Sequence, residues 1–440
     1  MSELSDALVS SPGMEEAFSD SALLGAMLRF EAGLARALAR AGVIPETAAR
    51  AIASIEPQAF DVRAIADQAR RSATAAIPFV EMLVRAVGER DPNAAGFVHR
   101  GATSQDVTDT ALVLCLGRAR ASLEASHARI DAALRRLSND HAGTVMLART
   151  LLQPAPPTTF GLKAAGWLGS MARAHAESMD AFDRACVLQF GGASGTLAAL
   201  GRDALTVAGH LARELDLPLP DAPWHTHRDR LASLVACCGI YAGTIAKAAR
   251  DVALLMQVEV AEAAEPGGTS STLPHKRNPA GCVIAIASAS RLPGLAATYL
   301  AGMSQEHERG VGGGQGEWAT IAAAVGSTGA AAEAFAGVAE GLRVDPSRMR
   351  RAIADTRGVV FAEKAMMHLA PAIGRDAAAR IVAEAVAAAA RGERFADALL
   401  ANRDAAAVLT DDERRTLEEP EAYLGAAEGF RRRLMQERDE

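Results

Sequence analysis

Apolar residues recur every three to four positions through most of this chain, the period of helices that bury one face. Between residues 20 and 90 the pattern forms several short segments, with Met27, Phe30, Leu34 and Leu38 on one face. Asp91-Pro92-Asn93 breaks it. A long helix is predicted from about Gln105, where Leu112, Leu116, Ala119, Leu123, Ile130, Leu134 and Leu137 keep heptad-like spacing. Helices also fit 157–185 and the alanine-rich stretch 376–391. The clearest one is predicted from about Arg228 to Glu262: Leu231, Leu234, Cys238, Tyr241, Ile245, Ala248, Val252, Leu255 and Glu259 make one near-continuous stripe. Roughly 35 residues at 1.5 Å rise give a rod of about 50 Å. A stripe that long fits a helical bundle, often one shared between subunits. The expected fold is therefore all-α with three helical domains. These are an N-terminal domain over 1–104, a central long-helix bundle over 105–350, and a small C-terminal domain over 351–440. The last is richer in charge and has breaks at Gly358 and Gly374.

Composition narrows the function. Aromatic residues are only 4% of the chain, and alanine, the best helix former, dominates the apolar set. A net charge of −7 argues against a nucleic-acid partner, which would need a basic face. No apolar run approaches the ~20 residues that cross a bilayer, so no membrane partner is expected. The first twenty residues carry acids and no basic segment, unlike a secretory signal. The five cysteines contain no Cys-x-x-Cys, so they read as small helix-face residues in a reducing cytoplasm. No metal-ligand cluster and no dinucleotide fingerprint appears, so neither metal nor cofactor is expected.

Three stretches depart from the helical pattern. His99-Arg100-Gly101-Ala102-Thr103-Ser104-Gln105-Asp106 opens a helix, so Thr103 and Ser104 can offer hydroxyls beside free backbone N–H groups. The alternative is that either residue simply caps the helix. Arg149 to Thr159, with prolines at 154, 156 and 157, reads as an irregular connection. The loop 265–279 holds glycines 267 and 268, four consecutive hydroxyl residues, His275, Lys276 and Arg277. It can place hydroxyls and cations around a small anion. It is not a phosphate loop, since no Gly-Lys-Ser/Thr closes it. The next helix is predicted from Asn278-Pro279, with Asn as N-cap, and another after Glu317.

Together these stretches resemble the fumarase/aspartase superfamily. Ser270-Ser271-Thr272-Leu273-Pro274-His275-Lys276-Arg277-Asn278-Pro279 is similar to its Ser-Ser-x-Met-Pro-x-Lys-x-Asn-Pro signature, with Leu273 at the usual Met. Gly101–Asp106 resembles its first signature, and Gly191-Gly192-Ala193-Ser194-Gly195-Thr196 a further segment; the likeness spans residues about 15 to 435. The resemblance implies a homotetramer whose central bundle forms its core, with each active site built from three chains. It implies that Ser270 handles a proton beside a substrate carboxylate, with Lys276 supporting it. Lys276 and Asn278 would hold that carboxylate, and Thr103 and Ser104 would bind another from a second chain. Gln257, Arg309, His99, Arg100 and Ser271 complete the implied substrate-binding set. Alternatives stay open for two: Gln257 as a bundle hydrogen bond, and Arg309 as a surface ion pair.

One departure chooses the branch. Lyases of this family usually carry Arg-Thr-His, whose His protonates the leaving group; here the residues are Arg149-Thr150-Leu151. Leucine transfers no proton. In the family's cycloisomerase branch the leaving group, in the elimination direction, is the substrate's own carboxylate. With a pKa near ~4 it is stable as an anion and gains little from protonation. Pro223–Asp229 and Gln305-Glu306-His307-Glu308-Arg309 are similar to that branch too. The expected function is lactonisation of a tricarboxylate in aromatic-acid breakdown, through protocatechuate. The runner-up is an adenylosuccinate-lyase-like enzyme with its acid moved to His99, His141 or His275. A scaffold without chemistry is a third reading, against which Ser270, Lys276 and Asn278 speak.

Overall fold

The computed structural model describes residues 6–268, 273 and 276–436. Its main elements run α1 (Asp20–Arg40), α2 (Glu46–Ala53), α3 (Ser104–Asp140), β1 (Val145–Thr150), β2 (Gln153–Thr159) and α4 (Phe160–Ala185). Next come α5 (Ala204–Leu215), α6 (Asp229–Leu255), β3 (Ala263–Ala264), α7 (Ala280–Ser290), α8 (Leu292–Ala301) and α9 (Gly313–Gly341). The chain finishes through β4 (Arg343–Val344), α10 (Pro346–Asp355), α11 (Ala362–Ile373), α12 (Arg375–Ala390) and α13 (Phe395–Ala401), with short helices after them. Two compact units result, one of 1–127, 173–246 and 284–334, the other of 128–172, 247–283 and 335–440.

In the first unit α1 presents Phe30, Leu34 and Leu38, all fully buried, to α2 and α5. Gly33 permits the close approach, because a Cβ there would lie 3.1 Å from Leu215 Cδ2. The Ser19 hydroxyl accepts from the Ala22 N–H and caps the helix start. Every apolar residue of the two long stripes is buried, from Leu112 to Leu137 on α3 and from Leu231 to Leu255 on α6. Burying each such Leu or Ile is worth about 1.5–3 kcal/mol, so the stripes fix these helices' rotation.

Helix α6 stops at Leu255, seven residues before the expected Glu262. The apolar period fails there, since Val258 is 82% exposed. The chain turns back, with the Glu262 N–H donating to Leu255 O and Ala261 at φ +51°. Pairing of Ala263 with Val344 and burial of Glu262 outcompete one more helical turn. Helix α9 begins at Gly313, one turn ahead of Glu317: Gly312 turns the chain at φ +94°, and Gly313, Gly314 and Gly316 are helical, Gly316 N–H donating to Gly312 O.

In the second unit the proline-rich connection proves to be an antiparallel hairpin, β1 against β2, with an irregularity at Leu147/Ala148. A two-stranded ribbon has two free edges, so prolines that lack an N–H are tolerated. Val145 and Leu147 pack on Ile353, Val360 and Phe361. Helices α11 to α13 close a separate small core around Leu369, Ile381, Phe395 and Leu399. Gly358 and Gly374 break the helices as expected, at φ +86° and +81°.

One expectation about membranes changes. The segments Asp229–Leu255, Ala280–Ala301 and Gly313–Gly341 have mean hydropathy of 1.5, 1.4 and 1.3 and are long enough to cross a bilayer. Alanine raises the average without forming a run of large apolar residues. Gly313–Gly341 is 72% buried inside the chain, but Ala280–Ala301 only 28%.

Candidate active site

The first unit brings Thr103, Ser104 and Arg309 together. Arg309 Nη1 donates to Thr103 Oγ1 at 2.6 Å and Nη2 to Ser104 Oγ at 3.0 Å. Each hydroxyl spends a lone pair on the guanidinium and keeps its own hydrogen for a ligand. The result is a clamp of one guanidinium and two hydroxyls at the start of α3, where helix N–H groups also point outward, a chemistry that suits an anion. It opens on a cavity of about 480 Å³ lined by Ser104, Gln105, Asp109, Gln305, Arg309 and Trp318 among others. Arg309 is thus not simply a surface ion pair.

The clamp rests on a buried carboxylate. Asp106 is fully buried and accepts from the N–H groups of Thr103, Gly191 and Gly192 at 2.9–3.0 Å and lies 2.8 Å from His225 Nε2. This joins two resembling segments and assigns His225 a structural role. Gly191 is obligatory: a Cβ there would sit 2.7 Å from the Pro223 ring and 2.8 Å from His225 Cε1.

A second buried set lies one turn further along α3. Arg228, with no exposed side-chain surface, donates to both oxygens of Asp109 at 2.8 and 3.1 Å and from Nε to Glu317 Oε2 at 2.8 Å. It also lies 4.7 Å from the Trp224 ring centre. Gln105 Nε2 donates to Asp109 Oδ2 and to His225 O, tying the two sets. Burial pushes the Glu317 carboxyl up, against the opposing pull of Arg228. In the sequence Asp109, Arg228 and Glu317 are isolated charges near helix starts and look like solvated positions. Only the fold shows them facing each other.

His99 adopts a left-handed backbone at φ +58°. Its Nδ1 lies 2.6 Å from Glu31 Oε1, and its N–H donates to Glu31 Oε2. Burial lowers its pKa, but the hydrogen bond and charge of Glu31, with Asp106, outweigh that and raise it overall. Glu31 thus favours the charged form of His99, and it is a partner that no local pattern in the sequence marks. Arg100 lies over the Phe97 ring, 6.0 Å from its centre.

The other candidates belong to the second unit. Ser270 and Ser271, like His275, lie outside the described residues. The loop's two ends are joined: Asn278 N–H donates to Gly268 O at 2.6 Å, and a Cβ on Gly268 would lie 1.8 Å from Asn278 O. Lys276 is exposed and its N–H donates to Leu273 O. Helix α7 starts at Ala280, not at Pro279, and the first free amides go to a residue the sequence reading passed over. Glu265 accepts from the N–H groups of Gly281 and Cys282 at 2.7 and 3.1 Å, a capping role expected of Asn278. Gln257 falls two residues past the end of α6, exposed, its carbonyl accepting from Val260 and Ala261. His141 lies 3.0 Å from Thr144 Oγ1 just beyond α3, a structural helix end.

Leu151 occupies the tip of the hairpin, 97% exposed at φ +51°. Below it Arg149 makes a two-pronged ion pair with buried Glu262, at 2.7 and 2.9 Å. The hairpin therefore presents a side chain without an acid or base.

The chain is similar to known proteins over nearly its full length. Residues 7–294 match the family model described as Lyase, and residues 358–434 that described as Adenylosuccinate lyase C-terminus. The 3-carboxy-cis,cis-muconate cycloisomerase of Pseudomonas aeruginosa is 44% identical, over 99% of this chain and 96% of that one. The enzyme of the same name from Bradyrhizobium diazoefficiens is also 44% identical, over 99% and 98%. The crystal structure of 3-carboxy-cis,cis-muconate lactonizing enzyme from Pseudomonas putida superimposes with a TM-score of 0.94 at 41% identity, covering 99% of each chain.

Proposed function

Because the chain belongs to the fumarase/aspartase superfamily of lyases, we propose that it is an isomerase that lactonises 3-carboxy-cis,cis-muconate to 4-carboxymuconolactone. The full-length likeness to cycloisomerases supports this, and one observation carries it: Leu151 follows Arg149-Thr150, where the lyases this chain resembles carry a proton-donating His. In lactonisation a carboxylate oxygen of the substrate bonds to an alkene carbon, and the neighbouring carbon, next to another carboxylate, takes a proton. No atom is lost. In reverse the leaving group is a carboxylate, which needs no acid.

In this reading Ser270 delivers the proton as a hydroxyl and recovers it from solvent. A serine alkoxide is strongly basic, so Lys276 and loop N–H groups must stabilise it. Lys276, Asn278 and Ser271 hold the carboxylate beside the reacting carbon. Thr103, Ser104 and Arg309 grip a second, and His99 and Arg100 add positive charge for the tricarboxylate. Gln257 is a further contact.

We also propose a homotetramer, in which the 265–279 loop of one protomer meets the Thr103 clamp of another. Large apolar side chains left exposed on long helices support it: Ile240, Val283 and Leu300 are 53–61% exposed, and such faces call for a partner. The division at 104 and 350 is part of the same proposal, as is a cytoplasmic setting.

The test mixes the purified protein with 3-carboxy-cis,cis-muconate and follows loss of the diene's ultraviolet absorbance, with adenylosuccinate in parallel. Fast loss with the muconate alone, absent in Ser270→Ala, is expected. Turnover of adenylosuccinate instead would show a general acid elsewhere and defeat the reading of Leu151.

A further inference from the structure

The segment 302–312 joins α8 to α9 and carries Arg309. Side chains, not regular pairing, hold its shape. Gln305 Nε2 donates to Glu317 Oε1 at 2.7 Å and to Gly302 O at 3.4 Å. Both partners only accept, so the amide nitrogen must face them. The Thr226 hydroxyl donates to His307 O, and Glu306 accepts from Val311 N–H, each at 2.9 Å. Gly310 and Gly313 press against Gln305: a Cβ on either would come within 2.8 or 2.9 Å of its side chain.

Glu317 is in turn fixed by Arg228, and Arg228 by Asp109, which accepts from Gln105 beside Ser104. One buried cation therefore supports both sides of the clamp. On the Ser104 side the support passes through α3. On the Arg309 side it passes through Glu317 and then Gln305, while the Thr226 hydroxyl ties the same segment at His307 O.

From this geometry we propose that Gln305 is a positioning residue that holds Arg309 in the placement where it bridges Thr103 and Ser104. An exposed arginine has costly rotamer freedom to lose, and fixing its backbone beforehand lowers the cost of gripping a carboxylate. The proposal rests on the carboxylate-binding role given to Arg309 above.

The test compares wild type with Gln305→Leu, which keeps bulk but loses the amide and leaves the Arg228–Glu317 pair untouched. Gln305→Leu should raise KM about tenfold with a smaller fall in kcat. Amide exchange should quicken in 303–312 and not elsewhere. The proposal falls if KM is unchanged, or if loss of activity is matched by faster exchange throughout the chain. If the wild type does not turn over the muconate, the functional reading fails. Amide exchange in 303–312 then decides the proposal by itself.

Discussion

Arg228→Met removes the one cation between two buried carboxylates. The guanidinium has no exposed surface, and Asp109 and Glu317 are 5% and 2% exposed at their side chains. Taking away one member of a buried ion pair costs about 3–5 kcal/mol, because the remaining charge has no water to return to. Here two carboxylates remain, which favours the upper end. For a chain of this length, 1 kcal/mol moves the melting temperature by about 1 °C, so a fall of roughly 3–5 °C is expected. The loss must depend on pH. Burial already pushes the Glu317 carboxyl up, and without Arg228 it rises further. The folded variant then binds more protons than the unfolded chain, so its stability falls as pH rises from about 4 through that raised value. Thermal unfolding at fixed protein concentration should show a larger deficit at pH 8 than at pH 5. Arg228→Met with Asp109→Asn and Glu317→Leu, which removes all three charges, should regain most of the loss. A deficit under about 1 °C, or one equal at both pH values, would refute the argument that the triad is a dry electrostatic knot.

Gly268→Ala should cut turnover about tenfold or more while shifting the melting temperature little, because its Cβ would strike Asn278 O and part the loop ends; near-normal turnover would show that the ends need not meet. Leu151→His should leave the lactonisation rate within about threefold, since a fully exposed tip accepts the ring and the reaction has no use for the acid; a tenfold gain would overturn that. Glu31→Gln should lower the pKa of His99, read by nuclear magnetic resonance titration. Because the folded value is raised, the stability that Glu31 adds through His99 is complete below about pH 6.5 and fades as pH rises through the folded value. The gap between wild type and variant should narrow at alkaline pH; a gap that widens would exclude a charged His99.

The sequence by itself determined the helices and the branch. Stripes from Leu112 to Leu137 and from Leu231 to Leu255 are legible because burial on one face imposes a 3.6-residue period on the residues themselves. Leu151 is legible because the absence of a titratable group needs no coordinates. Tertiary structure decided what depends on partners far apart in the chain. Helix α6 ends at Leu255 without a glycine or proline, because Glu262 is claimed by Arg149 and Ala263 by Val344. Prolines 154, 156 and 157 look like a loop, but β1 turns them into a ribbon. Asp109, Arg228 and Glu317 are 89 to 208 positions apart in pairs and carry no local pattern. A charge facing solvent and a charge facing its opposite read alike in one dimension, and only the folded chain tells them apart.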